Sequence, residues 1–212
     1  MKPLQIRAVL FDFDGTLSRP GSLDFEHIKG KLRCPLNQPV LEFIQAIPDG
    51  DERARALEHL EAFERAGAEG SFANAGAEEV VRRLKRRNVR VGLITRNSLA
   101  SIQTALRNFE HLSTSDFDVL LTRDDPVTPK PDPEGVLLAA EALGVDAAEL
   151  AVVGDFVFDV EAGERAGAVT VFLTNGREVE PPRADYVIRH LWDLEDTLRM
   201  GLPPCGPGAP SS

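Results

Sequence analysis

The residues best able to do chemistry lie near the start of the chain. In Val9-Leu10-Phe11-Asp12-Phe13-Asp14-Gly15-Thr16-Leu17, an apolar run delivers two carboxylates, one residue apart, into a glycine turn. Strand side chains alternate faces, so Asp12 and Asp14 share a face if the strand continues through both. Gly15 lets the backbone turn sharply behind them. Two carboxylates at the end of a buried strand repel each other and lose hydration. They stay ionised together only beside a cation or with a shared proton. The pair therefore demands a partner elsewhere in the chain.

Three later stretches offer one. Thr95 follows the apolar run Val91-Gly92-Leu93-Ile94, Lys130 stands between Pro129 and Pro131, and Gly154-Asp155 is followed four residues on by Asp159. Hard carboxylate oxygens at this density suit Mg²⁺, which takes few protein ligands and commonly shares a substrate phosphate. A lysine neutralises further charge, while a threonine hydroxyl and a helix start at Asn97-Ser98 can donate to phosphate oxygens. The set reads as phosphoryl chemistry assisted by one Mg²⁺. Each residue also has a plainer reading. Asp12 and Asp14 alone could cap a turn, Thr95 could be a strand-end hydroxyl, Lys130 a surface lysine, and Asp159 a cap for the next helix.

The elements that must position these residues alternate. Strands are expected at about Ile6–Asp12, Val89–Thr95, Phe117–Leu121, Ala151–Gly154, Val169–Leu173 and Tyr186–Ile188. Helices are expected at Glu78–Arg87, Ser98–Phe109 (capped by Asn97 or Ser98), Pro133–Leu143 (capped by Asp132), Val157–Ala166 and Leu191–Leu198. Near-continuous apolar strands alternating with helices imply a doubly wound α/β fold with a parallel sheet covered on both faces. In such sheets ligands bind beyond the carboxyl ends of the strands, where the polar residues above fall. Between Ser18 and Asn74 the pattern is helical only, with helices expected at Asp24–Leu32, Gln38–Ile47 and Asp51–Ala66, punctuated by Pro and Gly. The expected domains are a core of residues 1–17 and 75–200, a small all-helical cap of 18–74 inserted after the first strand, and a disordered Pro/Gly/Ser-rich tail of 201–212.

The 212 residues are 42% hydrophobic and 27% charged, which is ordinary for one globular core with a small insert. A net charge of −10 disfavours nucleic acid and anionic membrane as partners, so an anionic substrate must be held by local cations or a metal. Cys34 and Cys205 fit no metal or redox spacing, and no signal peptide or transmembrane run is seen, so a reduced, cytoplasmic setting is expected.

Asp12-Phe13-Asp14-Gly15-Thr16, then Thr95, then Lys130 in Pro-Lys-Pro-Asp-Pro, then Gly154-Asp155 with Asp159, resemble the four motifs of the haloacid dehalogenase (HAD) superfamily, in order across about residues 6–175. The helical insert resembles the C1-type cap of the phosphoglycolate-phosphatase-like branch. The resemblance implies a HAD-like Rossmannoid core and a Mg²⁺-dependent phosphatase acting on a small phosphorylated metabolite. It implies Asp12 as nucleophile forming an aspartyl-phosphate, and Asp14 as general acid and then base. It implies Asp12, Asp155 and the backbone carbonyl of Asp14 as metal ligands, with Asp159 beside the metal or reaching it through water. Thr95 and Lys130 would bind the phosphoryl group, with Lys130 also balancing Asp12. Dehalogenases of the superfamily lack an acid two residues after the nucleophile, so Asp14 favours phosphoryl transfer.

Arg96 departs from the smaller residue expected after Thr95. It either reaches a substrate anion, alongside Asn97, or pairs with a surface acid. Lys29 and Lys31 are expected to be solvated, Asp124 and Asp125 to be loop acids, and the histidines to be non-catalytic. The cap is short for its class, which suggests an open site. A phosphosugar mutase and a non-catalytic binding module are the alternative functions.

Overall fold

The computed structural model describes residues 5–198, so the expectation for residues 201–212 lies outside the described residues. Six strands form one parallel sheet: β1 (Ala8–Phe11), β2 (Arg90–Ile94), β3 (Val119–Leu121), β4 (Leu150–Gly154), β5 (Val169–Leu173) and β6 (Tyr186–Ile188). Their order is β3-β2-β1-β4-β5-β6. The chain thus runs outward from β1 to one edge, crosses back, and continues from β4 to the other. The reversal between β1 and β4 is the switch point at which doubly wound sheets bind ligands. Phe11, the last residue of β1, stands opposite Leu93 and Val153, each one residue before the end of its own strand, so the residues that follow the three strands emerge close together.

Alternation along the strands builds two cores. Val9, Phe11, Val91, Leu93, Ala151 and Val153 face one side, against α4 (Ala77–Arg86) and α5 (Leu99–Leu106). Ala8, Leu10, Leu150 and Val152 face the other, against α6 (Glu134–Leu143) and α7 (Val157–Ala166). With both faces covered, the strands are apolar without a break, as in parallel sheets generally. A last helix, α8 (Leu194–Thr197), follows β6.

The insert after β1 comprises α1 (Phe25–Leu32), α2 (Val40–Gln45) and α3 (Gly50–Glu69). It has its own apolar cluster of Ile28, Cys34, Val40, Leu41, Ile44 and Leu60. Its entry and exit are stitched together: Ser18 and Ala73 form an antiparallel bridge, Arg19 N donates to Phe72 O at 2.9 Å, and Asn74 N donates to Leu17 O at 2.8 Å. The insert also lies along the core. α3 packs on α5, and the Asn108 amide donates to the carbonyls of Ala68 and Glu69 at the end of α3.

Several boundaries differ from expectation. β1 stops at Phe11, so Asp12 and Asp14 do not continue one strand; Asp14 is carried into a turn whose Gly15 has φ of 75°. α6 begins at Glu134, and the Asp132 carboxylate accepts from Glu134 N rather than capping Pro133. Proline at the cap position fits, because its missing N–H would have no helical partner. α3 runs on through Gly67 to Glu69, held by its packing on α5. The last expected helix is divided into a short 3₁₀ turn at Leu191–Asp193 and α8.

Candidate active site

The carboxyl edge of the sheet delivers the site. Asp12 leaves β1 with its backbone N–H donating to Val153 O at 2.9 Å, which locks it beside the end of β4. Thr95 leaves β2 in the same way, its N–H donating to Leu121 O at 2.9 Å. Asp155 follows Gly154 directly, and Asp159 sits in the first turn of α7. A side chain on Gly154 would land on the Asp159 carboxyl, and one on Gly15 would land on the Asp155 carboxyl. Both glycines are therefore required by close approach, and Gly15 by its positive φ as well.

Lys130 is buried among these acids. Its Nζ donates to Asp12 Oδ1 and Asp159 Oδ1, both at 2.6 Å, and to Ile94 O at 3.1 Å. Burial alone would lower the lysine's pKa, but the Asp12 and Asp159 carboxylates overcome this and hold it above its ordinary value. Burial pushes the Asp12 carboxyl well up; Lys130 pulls it back, while Asp159, Asp155 and Asp14 add to the rise. Burial, chiefly, with the Asp159 charge beside it, pushes Asp155 up to about 6, against the pull of Arg177.

Asp12, Asp155 and Asp159 present oxygens that all lie within 4.8 Å of one another. Three crowded carboxylates, two of them pushed up in pKa, are a set that a hard divalent cation would relieve. An all-oxygen donor set of this kind fits Mg²⁺.

Asp14 stands apart from that cluster. Asn97 Nδ2 donates to Asp14 Oδ2 at 2.6 Å, and Ser22 Oγ donates to Oδ1 at 3.4 Å. Burial raises its pKa, opposed by Asn97, Lys130, Ser22 and Ser18. A carboxyl whose pKa burial raises is suited to proton transfer. One N–H of the Asn97 side chain, expected on the phosphate, thus orients Asp14. Ser98 caps α5, its Oγ accepting from Ser101 N at 3.3 Å. Thr95 Oγ1 accepts from Asn97 N at 3.2 Å and remains able to donate.

Arg96 reaches across to the insert. Its Nη2 donates to both oxygens of Glu42 on α2, at 2.9 and 2.6 Å, and its Nη1 donates to Lys130 O at 2.6 Å. The guanidinium lies over the Phe158 ring, 5.0 Å from its centroid. A second bridge joins the units where α3 meets the loop after β3: Arg123 Nη1 donates to Glu64 Oε1 at 2.5 Å. Lys29, expected in solvent, donates to Leu36 O at 2.6 Å and lines the cleft. Asp124 and Asp125 are loop acids that accept from the backbone N–H groups of Leu99 and Thr122.

Sequence reasoning missed Arg177, whose Nη2 donates to Asp155 Oδ2 at 2.9 Å. It lies just after β5, on a turn where Asn175 and Gly176 both have positive φ, 55° and 74°. Treating Thr174–Arg177 as a further strand end would have found it. It also missed Asn175, whose Nδ2 donates to Gly15 O at 2.6 Å, and Asn74, whose Nδ2 donates to Thr16 O at 2.9 Å. These amides hold the turn that carries Asp14.

The family model for haloacid dehalogenase-like hydrolases matches residues 6–167. The chain is 31% identical over 172 residues to an uncharacterised hydrolase of Saccharomyces cerevisiae, covering 80% of this chain and 78% of that one. It is 27% identical over 229 residues to N-acetylmuramic acid 6-phosphate phosphatase of Pseudomonas aeruginosa, covering 97% of this chain and 100% of the relative. The solved structure of a hydrolase from Pseudomonas syringae superposes with a TM-score of 0.75 at 24% identity, covering 91% and 98% of the two chains, a likeness of fold.

Proposed function

Because this chain belongs to the haloacid dehalogenase-like hydrolase family, we propose that it is a Mg²⁺-dependent phosphomonoesterase, acting on a small phosphorylated metabolite through an aspartyl-phosphate on Asp12. The observation that carries this reading is the burial of one ammonium, Lys130, between Asp12 and Asp159 at the sheet's carboxyl edge, with Asp155 completing a cluster of three acids. Phosphatases among the relatives support it.

In this reading residues 18–74 are a cap facing a core of 1–17 and 75–200. Asp12, Asp155 and the Asp14 carbonyl would hold Mg²⁺, with Asp159 beside it or reaching it through water, and the ion would supply positive charge against the phosphoryl oxygens. Thr95 would donate to those oxygens, and Lys130, whose three N–H groups point at Asp12, Asp159 and Ile94 O, would do so on releasing one of these partners. An Asp12 oxygen attacks phosphorus while Asp14, protonated, gives its proton to the departing alcohol oxygen. Water then attacks the phosphorus, Asp14 takes the water proton, and inorganic phosphate leaves with the Asp12 carboxylate restored. Asn97 and Ser22 aim Asp14 for both transfers.

The test is phosphate release from p-nitrophenyl phosphate with Mg²⁺. Turnover that survives EDTA or Asp12→Asn would refute the mechanism.

A further inference from the structure

A cleft of about 710 Å³ lies between the insert and the carboxyl edge of the sheet. Its floor is the charged cluster, and its walls differ in kind. Phe25, Leu36 and Phe156 line it while remaining 51%, 70% and 56% exposed, and Val40 and Phe158 extend the same surface. Large apolar side chains left in water around one opening mark a surface that is covered during function.

The cleft's polar groups are largely spoken for. Lys29 is bonded to Leu36 O, Arg96 to Glu42 and Lys130 O, and Arg177 to Asp155 and Thr174 O. A second anionic group on the substrate would have to break one of these pairs. Thr95, Ser22 and Asn97 each have one side-chain bond within the site, which leaves part of their capacity and the amides of Asn37 and Gln38 as the neutral polar groups for a substrate body. These few groups match a polyol poorly, and its hydroxyls cost free energy when covered without partners.

We propose that this cleft selects phosphate monoesters of an uncharged, apolar alcohol, bearing a single phosphate, over esters of polyhydroxylated sugars. The inference rests on the phosphatase reading of the site and names its substrate class. Phe25 and Leu36 on the insert and Phe156 on the core line the one cleft, and the alcohol's carbon chain lies against them while the phosphate meets Lys130.

The experiment is a series of straight-chain alkyl phosphates, butyl to octyl, assayed as kcat/KM with Mg²⁺ beside glucose 6-phosphate. The leaving-group chemistry is constant along the series, so chain length changes only the apolar surface covered. We expect a rise of about fourfold per methylene until the cleft is filled, with octyl phosphate preferred to the sugar. Leu36→Gln and Phe25→Gln, both at exposed positions, should each lower the octyl-to-butyl ratio several-fold. A flat series, a preference for glucose 6-phosphate, or a ratio unmoved in both variants overturns the proposal. If no ester is hydrolysed, the phosphatase reading fails on its own. Calorimetry of octylphosphonate against butylphosphonate then decides the apolar wall: tighter octyl binding upholds it and equal affinities overturn it.

Discussion

Lys130 Nζ lies 2.6 Å from Asp12 Oδ1, joining two residues 118 positions apart in the chain. The contact is buried, and the same ammonium is shared with Asp159. A buried charge pair adds little net stability, but breaking one leaves an uncompensated charge. Lys130→Met should therefore cost roughly 3–5 kcal/mol in urea denaturation near neutral pH without metal. The sign with pH follows from Asp12. Burial already raises its folded pKa, and losing Lys130 raises it further. The stability tied to a raised carboxyl is present below its unfolded pKa and is lost as pH rises through the folded one. The deficit of the variant should shrink on acidification, and an equal deficit at about pH 5 and about pH 7.5 would contradict this account.

Asp12 and Asp14 should be separable by leaving group. Asp12→Asn removes the nucleophile and should abolish turnover of every ester. Asp14→Asn removes a proton donor, worth about 10²–10⁴-fold when the departing oxygen is basic. Its loss should be markedly smaller for p-nitrophenyl phosphate, whose leaving group needs little protonation. Steady-state kcat/KM for an aryl and an alkyl ester in both variants checks it; equal losses in Asp14→Asn would remove Asp14 from that role.

Mg²⁺ should stabilise the protein more as pH rises. Asp155 is held up to about 6 in the metal-free protein, chiefly by burial. Below that value its proton competes with a cation; above it the unneutralised carboxylate destabilises the fold until a cation relieves it. The Tm gain on adding Mg²⁺ should be larger at about pH 7.5 than at about pH 5, read by thermal denaturation. A gain that is constant or reversed would sink the assignment of Asp155 to the metal.

Arg123 and Glu64 should act as a unit across the insert and the core. Glu64 is 4% exposed, and burial raises its carboxyl pKa against the opposing pull of Arg123. Arg123→Leu strands that carboxylate and should cost roughly 3–5 kcal/mol. Adding Glu64→Leu should recover much of the loss, because the lone buried charge is gone. Denaturation of the two single variants and the double variant measures the coupling.

Arg96 should act as the tether of α2 through Glu42 and not as a second anion site. If Arg96 serves only to tether α2, Arg96→Ala and Glu42→Ala should change KM alike and the double variant should add little. If Arg96 also meets the substrate anion, Arg96→Ala should raise KM at least tenfold more than Glu42→Ala. The kinetic double-mutant cycle distinguishes them.

The sheet and the acids at its edge were legible because their signals are local. Near-continuous apolar runs such as Val9–Phe11 and Ala151–Val153 specify buried parallel strands, and such strands point whatever follows them to one edge. Asp12, Thr95, Lys130 and Asp155 could be placed together on that ground. The partners of Arg96 and Asn97 could not. Whether Arg96 meets Glu42 or a ligand depends on where α2 lies, and no periodicity in residues 18–74 encodes that placement. Arg177 escaped notice because its motif is a turn, Asn175-Gly176, whose left-handed geometry returns the chain over Asp155.

By itself, the sequence determined the layers, the strand ends and the identity of the charged groups, since hydrophobic periodicity and residue chemistry act over a few residues. Only the tertiary structure decided which charges meet. It added Asp159 to the Lys130 ammonium beside Asp12, turned Asn97 onto Asp14, and brought Phe25 and Leu36 into one cleft with Phe156. Each of these depends on the packing of segments far apart in the chain, where a shift of one side chain's length exchanges a partner for solvent.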